Sequence, residues 1–146
     1  MEKIILLAVL AMAMVSGCAP QQPPISPLGA DLAVQTVCIE KNQTVQFEDF
    51  LPAVEDGFAR HGIASKVYLD PGDMPKDCDY TAKYTAERGW DLVFYLKTAS
   101  VTVYQDKKKV AGLGYVLDGA FSKFGSAKSK IDPRMDEMLK EYPLRK

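Results

Sequence analysis

The side chains best able to do chemistry here are one histidine, three cysteines and a run of aspartates. His61 is the single imidazole, so general acid–base work near neutral pH would have to be built on it. It falls in the last turn of an expected helix, where a protonated ring interacts favourably with the helix dipole. No serine or cysteine has a nucleophile-elbow context, so the pattern offers no hydrolase triad. Asp70, Asp73, Asp77 and Asp79 bring four carboxylates into one loop. Their spacing misses the order of a calcium loop and no glutamate closes the cage, so they read as turn formers and no metal site is expected. Gly112-Leu113-Gly114 lies inside an alternating run and opens no helix, which excludes a dinucleotide-binding turn. These glycines instead suit a bulge or close packing, against Trp90 or a helix.

The chemistry most specific to position is at Cys18. Lys3 supplies a positive charge, and Ile4 to Val15 form an unbroken apolar run. That run is shorter than the roughly 20 residues of a spanning helix and matches a signal peptide over residues 1–17. Val15-Ser16-Gly17-Cys18 then resembles a bacterial lipobox. The resemblance implies cleavage before Cys18, a diacylglyceryl group on its sulfur and an acyl chain such as palmitate on its new amino group. Two or more acyl chains give stable anchoring. Ala19, where an aspartate would signal retention, resembles lipoproteins sent to the outer membrane. Residues 19–30 hold four of the nine prolines and no charge, so 18–30 is expected to be the lipidated cysteine and an extended tether.

Once Cys18 is acylated, Cys38 and Cys78 remain, and an exported chain left with one even pair is expected to join it. Neither has a CxxC partner or neighbouring ligands that would suit redox or metal work.

Residues 31–146 must supply the elements. A strand is expected over Leu32–Glu40. Phe47, Phe50, Leu51, Val54 and Phe58 then mark one face of a helix that starts around 48–51 and has Gly62 as its C′ residue. A short strand follows at Lys66–Leu69. Tyr80 to Glu87 alternates, with tyrosine and alanine on one face and threonine, lysine and glutamate on the other. Leu92–Tyr104 and Val110–Leu117 complete the strands. A last helix is expected to start with Asp132 as N-cap and Pro133 at N1. The order β-α-β-β-β-β-α predicts an α+β domain: a mainly antiparallel sheet of four to five strands with two helices on one face.

Overall charge is nearly balanced, at 18 basic and 19 acidic residues, but its distribution is not. Residues 31–91 hold 12 acids and 6 bases, whereas 92–146 hold 6 acids and 11 bases. Lys107, Lys108, Lys109, Lys123, Lys128 and Lys130 therefore define a possible basic contact surface for an acidic protein or anionic lipid headgroups. A pI of about 5.8 in an exported chain argues against nucleic acid.

His61-Gly62-Ile63, Cys78-Asp79-Tyr80, Tyr84-Thr85-Ala86, Trp90-Asp91, Tyr115-Val116-Leu117 and Ser129-Lys130-Ile131-Asp132-Pro133, in that order, resemble a family of small uncharacterised proteobacterial lipoproteins. The resemblance also takes in Cys18 and the Cys38/Cys78 pair. It implies an exported lipoprotein and carries over no catalytic residue and no cofactor beyond the covalent lipid. Trp90-Asp91 reads as a strand anchor with a buried indole. The expected function is a non-enzymatic binding or interaction module on the periplasmic face of the outer membrane. Its expected partners are the membrane itself, through the anchor, and an envelope component. The alternative is a periplasmic small-ligand-binding domain using the aromatic face of Tyr80, Tyr84, Phe94 and Tyr95.

Overall fold

A computed structural model describes residues 21–145. The expected signal peptide, residues 1–17, and Cys18 lie outside the described residues. The elements run β1 (Thr36–Glu40), α1 (Phe50–Arg60), β2 (Ala64–Tyr68), β3 (Tyr80–Asp91), β4 (Val93–Gln105), β5 (Lys108–Val116) and α2 (Ala127–Met138).

The domain is α+β, with five strands in the order β2-β1-β3-β4-β5. The sheet is mixed, which corrects the mainly antiparallel expectation. β1 is parallel to both β2 and β3, whereas β3–β4 and β4–β5 are antiparallel hairpin pairs. The reason is connectivity. A helix between β1 and β2 returns the chain to the end where β1 began, so two neighbouring strands joined that way must be parallel. The long loop from Leu69 to Asp79 does the same for β3.

α1 buries Phe50, Ala53, Val54, Gly57 and Phe58, the i, i+3, i+4, i+7, i+8 stripe of an amphipathic helix. Pro52 sits in the first turn, where its missing N–H breaks no helical bond. Gly62 closes the helix at φ 75°, with the Gly62 and Ile63 amides donating to Ala59 and Phe58 carbonyls. Gly57 also lets α1 approach α2 closely: a Cβ there would stand 2.8 Å from Met135 Cε.

α2 starts at Ala127, not at Asp132. Ser126 is its N-cap, accepting from the Ser129 amide at 3.1 Å, and Asp49 reaches across from the foot of α1 to accept from the Lys128 amide at 3.3 Å. Two capped amides outweigh the one backbone bond that Pro133 removes from the interior, so the proline does not set the boundary. Ile131, Met135, Met138 and Leu139 join Phe50, Val54 and Phe58 in a single core with Ala82, Tyr84, Val101, Val103 and Leu113 of the sheet.

The segment expected to be a free tether is docked from Gln22 onward. Ser26 and Gly112 exchange backbone hydrogen bonds as an antiparallel bridge, and the Leu28 amide donates to the Met138 carbonyl. The Arg134 guanidinium donates to the Pro23 carbonyl at 2.6 Å, and Leu28 is fully buried. Proline excludes helix but fits a chain that pairs only intermittently with a sheet edge. Gly114 of Gly112-Leu113-Gly114 makes room for the docking, since a Cβ there would stand 2.8 Å from Pro23 Cβ. The segment thereby covers the free edge of β5.

Candidate interaction surface

The β3–β4 hairpin is longer than anything beside it. β5 pairs with β4 only as far as Thr98↔Val116, with one further bond from the Leu117 amide to the Lys97 carbonyl. Beyond that point the two strands continue alone through Arg88↔Leu96, Gly89↔Tyr95, Trp90↔Phe94 and Asp91↔Val93. A register shift at Glu87/Arg88, opposite Lys97, marks where the projection begins. Leu92 forms the tip in the left-handed region, at φ 61°.

Trp90 is 63% exposed, Leu92 87% and Phe94 58%. Trp90 and Phe94 pack on each other with ring centroids 4.7 Å apart, and the Arg88 guanidinium lies 4.4 Å from the Phe94 centroid. The indole expected to be buried is thus the centre of a surface patch. Alternation puts it on the face of β3 that Tyr80, Ala82 and Tyr84 bury, but at Trp90 that face is uncovered. On the other side of the hairpin, Lys123 pairs with Asp91 and lies 5.4 Å from the Tyr95 ring centroid. That contact ties the 3-10 turn Ala120–Lys123 to the hairpin, and Phe121 and Phe124 in and after this turn are also exposed.

The six lysines expected to form one basic surface do not gather. Lys107 lies in the two-residue turn that joins β4 to β5, whereas Lys123 reaches Asp91 at the far end of β4. Thirteen strand residues separate the two ends, a distance of about 40 Å. Lys108 and Lys109 follow the turn in exposed positions. Lys128 pairs with Asp56 at 2.5 Å and Asp132 at 2.7 Å, and the Lys130 ammonium donates to the Phe124 carbonyl.

His61 is buried at the C-terminus of α1. Its Nδ1 lies 2.5 Å from the Tyr142 carbonyl and its Nε2 3.1 Å from Asp136 Oδ1. Both neighbours are acceptors, so the ring ties α1 to α2 through Asp136 and to the C-terminal segment through Tyr142. Arg60 completes the junction with Asp56 at 2.5 Å, Asp136 at 2.8 Å and Asp132 at 3.3 Å. Burial pushes the Asp136 carboxyl up, but bonds from Arg60 and His61 outweigh it and hold the group below its ordinary range. The Lys128 bond likewise holds Asp56 low. These charges knit the two helices together.

Cys38 and Cys78 are joined, with Cα atoms 5.9 Å apart. The bridge pins the Leu69–Asp79 loop to β1. Asp70, Asp73, Asp77 and Asp79 are all exposed, Asp77 pairs with Lys66 at 2.5 Å, and no metal-ligating cluster occurs among the described residues.

Tyr80 and Tyr84 are buried in the core. Tyr80 donates to the Leu32 carbonyl at 3.0 Å, and the Tyr84 hydroxyl accepts from the Asn42 amide at 3.2 Å. A half-open cleft of about 620 Å³ does exist, between the disulfide-held loop and the sheet, lined by Tyr68, Met74, Lys83, Tyr104 and Lys107. At its base Glu40 pairs with Lys83 at 2.9 Å and accepts from the Tyr68 hydroxyl at 3.4 Å. Burial, together with the Glu40 charge, raises the Tyr68 pKa.

The arrangement defines a class: a small α+β domain, stapled by one disulfide, with an apolar hairpin projecting from a mixed sheet. No family model matches the chain, and no curated protein does. Among solved structures its fold is similar to that of a dodecamer of a PelC point variant from Paraburkholderia phytofirmans, at TM-score 0.57 and 10% identity, covering 82% of this chain and 97% of that one.

Proposed function

We propose that the chain is a non-enzymatic, lipid-anchored module of the cell envelope, attached through Cys18 to the periplasmic face of the outer membrane, with the projecting hairpin as its contact surface. The observation that carries this reading is the exposure of Trp90, Leu92 and Phe94 at one tip. Large apolar side chains gathered at the end of a protrusion favour contact over solvent. The use of His61, Arg60 and the helix aspartates in structural pairing supports a non-enzymatic role. Replacement of Cys18 by alanine should abolish palmitate labelling and release the chain from membrane to soluble fractions. Retention in the membrane fraction would contradict the anchor.

The cleft at Tyr68, Met74 and Tyr104 favours a second reading, as a binder of a small amphipathic ligand, in place of the face of Tyr80, Tyr84, Phe94 and Tyr95. Such a ligand should raise the melting temperature of the native chain and not that of a Tyr104→Ala variant. Equal shifts in both would dismiss the cleft.

A further inference from the structure

We propose that the Trp90–Leu92–Phe94 tip inserts into the surface of an anionic phospholipid bilayer, the same one that holds the lipid on Cys18. This rests on the lipoprotein reading above and adds an orientation to it.

Strand direction sets where the N-terminal chain leaves the domain. The Ser26↔Gly112 bridge is antiparallel, so the docked segment traced backward runs toward the C-terminal end of β5. It arrives there at Gln22, whose amide bonds both the carbonyl and the N–H of Val116. Val116 is paired with Thr98, the point beyond which β4 continues alone into the hairpin. The N-terminal chain therefore leaves the domain at the hairpin end of the sheet.

The lengths then match. Cys18 precedes Gln22 by four residues, a reach of at most about 14 Å. From Thr98 to Val93 the hairpin advances five residues, about 16 Å. A docked tether this short leaves no room for the domain to stand off from the bilayer. A lipid at Cys18 instead brings the tip to the headgroup region.

The side chains suit that depth. Leu92 leads, and the amphipathic indole of Trp90 stacks with Phe94 behind it. Arg88 and Lys97 are exposed on the flanks of the hairpin. Long basic side chains there can cover apolar surface while their heads reach lipid phosphates.

Trp90 is the only tryptophan in the chain, so its emission reports this site alone. The test uses the full chain purified from membranes, with the mass of its Cys18 peptide measured. The chain is reconstituted into vesicles of phosphatidylethanolamine and phosphatidylglycerol. Trp90 emission should shift to shorter wavelength and be largely lost when lipids brominated on the acyl chain are substituted. Acylated Cys18 with unshifted, unquenched emission would overturn the hairpin proposal and leave the lipoprotein reading intact. A blue shift without bromine quenching would overturn it too, by placing Trp90 against protein or a second copy. An unmodified Cys18 would remove the anchor reading, and the proposal with it.

Discussion

Gln22 grips Val116 with both ends of its amide across 94 residues of sequence: Nε2 donates to the Val116 carbonyl at 2.5 Å and Oε1 accepts from the Val116 amide at 3.2 Å. This reproduces with a side chain the paired bonds of a strand neighbour, and it fixes where the N-terminal segment leaves the domain. Gln22→Ala should speed amide exchange at Val116 while leaving the exchange of core residues such as Val101 unchanged. Gly114→Val, which sets a side chain against Pro23, should destabilise the domain by about 1–3 kcal/mol. Unaltered exchange and stability in both variants would contradict the docked segment.

The Cys38–Cys78 bridge closes a sequence separation of 40 residues. Cys78→Ser should lower stability by about 2–4 kcal/mol, on the model in which the bridge restricts the unfolded chain. Thermal melting under non-reducing conditions measures it. Equal melting temperatures for the variant and the native chain would show that the bridge contributes nothing.

The junction of Arg60, His61 and Asp136 makes stability depend on acid. The Asp136 and Asp56 carboxyls titrate below their ordinary values in the folded state. Their contribution is therefore fully present above the unfolded carboxyl pKa of about 3.9 and is lost as pH falls through the lower folded values. Asp136→Ala leaves the Nε2 of buried His61 without its partner and should cost about 1–3 kcal/mol near neutral pH. Asp136→Asn keeps an acceptor oxygen and should cost less. Urea unfolding of both variants between pH 3 and 7 separates the terms; a pH-independent native midpoint would refute the account.

Exposure of the hairpin makes an opposite pair of predictions. Trp90→Ser should change folding stability by no more than about 0.5 kcal/mol, as expected of an uncovered position. Phe58→Ala, in the core, should cost about 3–5 kcal/mol. A large loss on Trp90→Ser would restore the indole to a packed site.

Much of the fold is legible in local pattern. The alternation from Tyr80 to Glu87 marks a strand with one covered face, and the Phe50–Phe58 stripe with Gly62 marks a helix and its stop. The start of α2 is not legible, because Asp132-Pro133 mimics a helix start whereas Ser126 is aided by Asp49 from a distant part of the chain. Residues 22–28 have the composition of a tether, and proline content does not reveal that Gly114 leaves space for Pro23 on β5. For Trp90, period and hydrophobicity report which side of a strand the residue faces. They do not report whether a neighbouring element extends that far. The same limit applies to charge: lysines close together in the second half of the sequence lie at opposite ends of a strand.

The mass of the N-terminal peptide of the mature chain isolated from membranes tests the lipid anchor directly. The expected peptide begins at Cys18 and carries a diacylglyceryl group and an amide-linked acyl chain. A peptide beginning elsewhere, or an unmodified Cys18, would contradict it.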